Sequence, residues 1–353
     1  MARLKELLFA GTERANDQSP FIIAEMSGNH NASLDKALAI VDAAAASGAD
    51  ALKLQTYTPD TMTLDVKEGE FVINNPSSLW AGRDLYNLYK EAHTPWEWHK
   101  PIFDRAKSHG MLAFSSAFDD TSVDFLETLD VPCYKVASFE CVDIPLIRKV
   151  ASTGKPMIIS TGMATIAEID DAVTAARSAG CKHLVLLKCT SSYPASPENS
   201  NLRTIPHLAK LFDCEAGLSD HTLGIGAAVA ATALGAGVIE KHFIMSRAEG
   251  GVDSAFSLEP DEFKALVDGV KVAQAALGSI FYGATESEQK GRTRRRSLYV
   301  TRDIEAGGEI TADNIRSIRP GLGLAPKFYD TLLGRRVSKP VKKGTPVSWD
   351  LLG

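Results

Sequence analysis

An alternation that repeats eight times constrains this chain more than any other feature. Short apolar runs at residues 21–25, 51–55, 112–115, 133–137, 157–160, 183–188, 215–218 and 238–240 read as buried strands. Each is followed by a segment with helical spacing of apolar residues, at 33–47, 95–109, 121–129, 144–152, 166–179, 202–212, 224–234 and 260–277. Strands that alternate with helices pair in parallel. Eight such units predict a closed α/β fold, the (β/α)8 TIM barrel, rather than an open doubly wound sheet. No Gly-x-Gly-x-x-Gly follows a strand, which weighs against a dinucleotide-binding domain.

The formal net charge of −6 argues against a nucleic-acid partner but leaves local lysines free to hold a small anion. The five cysteines, Cys133, Cys141, Cys181, Cys189 and Cys214, are odd in number and show no metal or redox spacing. Reduced, inert thiols in a cytoplasmic protein account for them. Residues 1–16 are charged and lack the apolar core of a signal peptide. Residues 223–239 come nearest to a membrane span, yet they are mostly Gly and Ala and run into Glu240-Lys241, so a packed helix plus strand is expected.

In such a barrel the chemistry sits at the C-terminal ends of the strands. Those ends carry Glu25; Lys53 and Gln55; Ser115 and Ser116; Lys135 and Ser138; Ser160 and Thr161; Lys188 and Thr190; Ser219, Asp220 and His221; Glu240, Lys241 and His242. Singly, each has a structural reading: a serine can cap a helix, Lys53 can reach solvent, and Glu25 can pair with Lys53. Together they predict a polar, partly cationic pocket suited to a phosphate or carboxylate. His221 and His242 end neighbouring strands and are expected to bind one metal ion there. Two imidazoles with oxygen donors leave positions open for water and substrate, which suits Mn²⁺ or Mg²⁺, with Co²⁺ or Zn²⁺ as alternatives.

Two stretches break the alternation. Residues 56–93 are longer than a plain connector, and such loops in compact folds serve as lids or binding loops. Residues 278–296 are polar and end in Arg292-Thr293-Arg294-Arg295-Arg296, a solvated linker. The predicted organisation is therefore a barrel over 1–277, a linker over 278–296 and a small mostly β domain over 297–353. In the tail, β runs are expected at 297–300, 315–318 and 337–340.

The segments Ala24-Glu25-Met26-Ser27-Gly28-Asn29-His30-Asn31, Lys53-Leu54-Gln55-Thr56-Tyr57, Ser160-Thr161-Gly162-Met163, Gly217-Leu218-Ser219-Asp220-His221-Thr222 and Glu240-Lys241-His242-Phe243 resemble the sialic acid synthase family. Ser297-Leu298-Tyr299-Val300 and Arg319-Pro320-Gly321 resemble its SAF (antifreeze-like) domain. The segment from Leu85 to His99, with Ser27-Gly28, is most similar to the branch that makes pseudaminic acid. Ala32, Ala117 and Val252 depart from the usual pattern, Ala32 standing where many relatives have Gly.

The resemblance implies condensation of phosphoenolpyruvate with 2,4-diacetamido-2,4,6-trideoxy-L-altrose and water, releasing phosphate by C–O cleavage. It implies that Lys53, Ser115, Lys135, Ser138, Ser160 and Ser219 hold phosphoenolpyruvate, and that Glu25 positions or deprotonates a water. It places Gln55, Tyr193, Asp253 and Glu140 at the sugar, with Arg319 arriving from the SAF domain of the other subunit of a domain-swapped homodimer. The choice of sugar is expected from the loop running into Trp96 and Trp98. The competing readings are a sister enzyme making N-acetylneuraminate or legionaminate, a metal-dependent aldolase using pyruvate, and a non-enzymatic carbohydrate-binding module.

Overall fold

The computed structural model describes residues 3–353, which form two compact units, one ending at Gly278 and one spanning Ser279–Gly353. In the first unit eight parallel strands close a barrel in sequence order. They are β1 (Phe21–Glu25), β2 (Ala51–Thr56), β3 (Leu112–Ala117), β4 (Tyr134–Val136), β5 (Met157–Ser160), β6 (Leu184–Cys189), β7 (Glu215–Asp220) and β8 (Val238–His242). Closure is made by β8 pairing back on β1, which sets His242 opposite Glu25. Strands β7 and β8 each run two residues past their expected ends, because parallel ladder bonds use only backbone groups and tolerate the polar residues there.

The helices of this unit are α1 (Leu4–Leu8), α2 (Leu34–Ala46), α3 (Pro59–Met62), α4 (Leu85–Ala92), α5 (Trp96–Ser108), α6 (Asp120–Thr128), α7 (Ile144–Ser152), α8 (Ile166–Ser178), α9 (Thr204–Phe212), α10 (Gly226–Ala233) and α11 (Pro260–Leu277). Their starts are written in the sequence. Ser33 accepts a hydrogen bond from Lys36 N, Asp143 from Leu146 N, and Thr165 and Glu168 form a reciprocal capping box. The expected helix-plus-strand reading of 223–239 resolves into α10 and β8. No helix among the described residues is long and apolar enough to cross a membrane.

The alternation that turns Ser116, Ser160 and Cys189 inward also turns Phe114, Ile158 and Leu187 into the barrel, where they are fully buried. At the opposite end, α1 covers the strand starts. Leu4 N donates to Glu215 at the head of β7, and buried Lys5 pairs with Asp50 just before β2. This helix lies in the charged N-terminal stretch, where the sequence predicts no element. Gly217 is required on β7, since a Cβ there would lie 2.2 Å from Val238 O. Ala32 holds φ +52°, a left-handed conformation that suits glycine better.

The excursion between β2 and α5 is not a bare loop. It carries α3, a 3₁₀ turn at Gly69–Phe71, a Val72–Asp84 bridge and α4.

The second unit holds one antiparallel pair, β9 (Ser297–Val300) with β10 (Ile315–Ile318), and a short α12 (Tyr329–Leu332), packed on Leu298, Val300, Ile315 and Val347. The expected third run at 337–340 is not a strand. Val337 makes only an isolated bridge to Leu352. Part of the expected linker is ordered as a 3₁₀ helix, Glu286–Arg294, capped by Thr285.

Candidate active site

The strand ends form the floor of a cavity of about 330 Å³. Lys53 and Gln55 project into it from β2, Ser116 from β3, Lys135 from β4, Ser160 from β5, Ser219 from β7, and Glu240 and His242 from β8. Adjacent strands are in register here, with Glu25 beside Lys53, Gln55 beside Ser116 and Ser219 beside Glu240. The floor is a buried charge network. Lys53 is ion-paired to Glu25, donates to Ser116 Oγ at 3.0 Å and lies 3.9 Å from Glu240. Lys135 donates to Glu240 at 3.3 Å, and Ser219 donates to the same carboxylate at 3.1 Å.

The two acids are driven apart in proton affinity. Burial raises the Glu25 pKa, and the charge of Lys53 offsets this only in part. Burial acts the same way on Glu240, but Lys135 and Lys53 outweigh it and hold the carboxylate below its usual range. Burial lowers the Lys135 pKa. Ser160 Oγ has no partner in the protein and faces the cavity, so its hydroxyl is free to donate to an anion.

Ser115 does not join this floor. It is fully buried, its Oγ lies 2.6 Å from Thr56 Oγ1, and Thr56 in turn meets His99 of α5. Strand β3 continues to Ala117, so side-chain alternation sends Ser115 toward the helix layer and Ser116 into the cavity. Of the two serines, Ser116 is therefore the one that lines the cavity. Glu25 is joined to this network through Lys53 but does not itself line the cavity.

His221 and His242 stand side by side, with ring centroids 5.2 Å apart, and Phe256 packs on both. His221 Nδ1 lies 3.1 Å from Thr190 O. Burial lowers the His221 pKa, but the hydrogen bond to Cys189 outweighs this and raises it. In the neutral ring a proton on Nδ1 leaves the Nε2 lone pair for a ligand. Cys189 Sγ is 3.7 Å from the same Nδ1. Burial raises the Cys189 thiol, but hydrogen bonding to His221 outweighs it and brings the pKa to about 7. The inert-thiol expectation thus fits the other cysteines better than this one. The His242 Nδ1 is buried without a hydrogen bond, 3.8 Å from Asp253, and burial together with the neighbouring His221 holds its pKa well below the usual range. Among the described residues no cluster of three or more His, Cys, Asp or Glu side chains is placed to hold a metal. Two imidazoles with open lone pairs beside an oxygen-rich floor nonetheless fit an open divalent site completed by water or substrate.

The sugar-side candidates are gathered above the floor. Tyr193 lies 4.7 Å from the His221 ring, and Asp253 accepts a hydrogen bond from Ser27. Glu140 lines the cavity with one unpartnered oxygen, and burial pushes its pKa to about 7. Arg319 belongs to the second unit, just after β10. Trp96 and Trp98 are not in the cavity: Trp96 stacks on Phe125 and Trp98 packs edge-on against His30. The excursion that runs into them, where the choice of sugar is expected, lines the cavity with Met62, Ile73, Trp80 and the α4 residues Leu85, Leu88, Tyr89 and Ala92. Their signal was present as the spacing i, i+3, i+4, i+7.

Residues 40–282 match the NeuB family and residues 295–353 match the SAF domain. The pseudaminic acid synthase of Campylobacter jejuni subsp. jejuni serotype O:2 is 47% identical over 328 residues, which is 93% of this chain and 95% of that protein. The pseudaminic acid synthase of Helicobacter pylori is 44% identical over 334 residues, 94% of this chain and 98% of that protein. Among solved structures, the N-acetylneuraminic acid (sialic acid) synthetase from Leptospira borgpetersenii serovar Hardjo-bovis, in complex with citrate, aligns with a TM-score of 0.69 at 31% identity, over 78% of this chain and 90% of that one.

Proposed function

The chain belongs to the NeuB family and carries a SAF domain, and from that premise we propose that it acts as a pseudaminic acid synthase. The observation that carries the reading is the pairing of an anion-binding floor with two free imidazoles at one barrel mouth. Lys53, Lys135, Ser116, Ser138, Ser160 and Ser219 supply the ammonium and hydroxyl donors that the phosphate and carboxylate of phosphoenolpyruvate require.

In the reaction, C3 of phosphoenolpyruvate bonds to the aldehyde carbon of the amino sugar. The electron-poor C2 takes up water, and its bond to the phosphate oxygen breaks. As C2 becomes the ketone the water gives up both protons, one leaving with the phosphate and one balancing the proton gained by the aldehyde oxygen. Glu25 is the candidate to hold that proton, since burial favours its neutral form and Lys53 connects it to the floor. His221 and His242 would hold a divalent ion, Mn²⁺ or Mg²⁺ with Co²⁺ or Zn²⁺ as alternatives, whose chemistry is to polarise the aldehyde oxygen. Gln55, Tyr193, Asp253 and Glu140 surround the space left for the sugar. The resemblance alone supports a domain-swapped homodimer in which a second copy supplies Arg319, and Arg319→Ala is then expected to raise the KM for sugar.

Phosphate release from phosphoenolpyruvate with a panel of amino sugars and Mn²⁺ tests the proposal. The diacetamido-trideoxy-altrose is expected to be the substrate. Turnover of N-acetylmannosamine with none of the altrose sugar would sink it.

A further inference from the structure

We propose that the apolar face of α4, with Ile73 and Trp80, is the specificity pocket for the C6 methyl end of a 6-deoxy amino sugar. This rests on the synthase reading and extends it to the part of the sugar that does not react. Leu85, Leu88, Tyr89 and Ala92 fall on one helical face, and that face lines the cavity instead of the barrel core. An apolar helix face is ordinarily buried against protein. Here it meets the space a substrate must occupy, and the excursion brings no charged side chain into that space.

The orientation follows from the chemistry of the floor. The aldehyde must lie beside His221, His242 and the phosphoenolpyruvate subsite, so the opposite end of the open-chain sugar points toward the rim. In a 2,4,6-trideoxy sugar that end is a methyl group. A C6 hydroxyl placed against Leu85, Ile73 and Trp80 would leave water for an apolar surface, the Tyr89 hydroxyl being the polar group on the α4 face.

The wall is built to hold its shape. Asp84 caps α4 by accepting from Asn87 N at 2.9 Å, and Gly82 N donates to Ile73 O at 2.8 Å. Trp80 Nε1 donates to Val252 O at 3.0 Å, tying the excursion to the segment after β8. Helix α4 packs so closely on Gly28 that a Cβ there would stand 3.1 Å from Ala92 Cα. Such fixing is what discrimination at a remote carbon requires.

The test compares kcat/KM for the 6-deoxy diacetamido sugar and for its C6-hydroxyl analogue, in wild type, Leu85→Asn and Ile73→Asn. The two positions lie on separate segments, so a folding failure in one still leaves the other to be read. Wild type is expected to favour the deoxy sugar by roughly 10²-fold, the discrimination an apolar pocket achieves against one added hydroxyl. Each variant is expected to cut that preference about tenfold or more while the KM for phosphoenolpyruvate stays unchanged. An unchanged preference in the variants overturns the inference alone. Wild type that releases phosphate with neither sugar overturns the synthase reading and this inference with it.

Discussion

The floor of the barrel-mouth cavity buries two lysines and two glutamates in contact with one another, whereas the wall raised by residues 57–93 brings no charge into the same space. The floor belongs to the barrel strands, so its geometry is tied to the most deeply packed part of the chain. The wall is an insertion between β2 and α5 and takes no part in the strand ladder of the barrel. A division of labour follows. Under the proposed function, the floor would serve the phosphoenolpyruvate chemistry and the wall would fit the cavity to one sugar.

Breaking the floor gives the largest effect. Lys53→Met removes a donor to the substrate anion and strands Glu25 as a buried, unpaired acid. The kcat/KM for phosphoenolpyruvate is expected to fall by about 10³, and chemical denaturation to show a loss of about 3–5 kcal/mol. Next comes His221→Ala, which removes one of the two imidazoles. Phosphate release is expected to fall at least about 10²-fold, with Mn²⁺ affinity weakened in a titration. Unchanged release with Mn²⁺ still bound would remove His221 from the metal site.

Glu140 sits where floor and wall meet, and its prediction is one of pH. Its folded pKa is about 7 against a reference value of 4.5, raised by burial. The neutral carboxyl is tolerated at low pH, and stability is lost as pH rises from about 4.5 through 7. Glu140→Gln removes that loss, so at pH 8 the variant is expected to be more stable than wild type by about 3 kcal/mol, with no difference of this origin at pH 4. Thermal melts across that pH range read it directly.

The smallest effect sharpens the wall. Trp80→Phe keeps the ring but removes the donor to Val252 O. A loss of about 1 kcal/mol is expected, appearing as a several-fold rise in the KM for sugar with the KM for phosphoenolpyruvate unchanged.

The same contrast explains what could be read from the sequence. The barrel was legible because period-2 and period-3.6 patterns alternate eight times, and the position of His221 and His242 follows once their strands are neighbours. The sequence offers Ser115 and Ser116 together at the end of β3, and only the phase of the strand decides which faces the cavity, because a one-residue shift reverses the face. The helical face of α4 carries a visible spacing, but spacing alone does not say whether a face meets the core or a cavity. The loop running into Trp96 and Trp98 is visible as an overlong connector, but that its residues line the cavity while the two tryptophans pack against Phe125 and His30 emerges only in the fold. Helix α1 is too short to announce itself by periodicity, and only its contacts with Asp50 and Glu215 reveal its place.

The central claim is that this floor joins phosphoenolpyruvate to an amino sugar with cleavage at carbon. Phosphoenolpyruvate carrying ¹⁸O in the bridge between C2 and phosphorus, turned over with the diacetamido-trideoxy-altrose and Mn²⁺, tests it most directly. The account predicts the label in the released phosphate and a nine-carbon acid as the product. Label retained in the carbon product, or carbon–carbon bond formation from pyruvate without phosphate release, would contradict it.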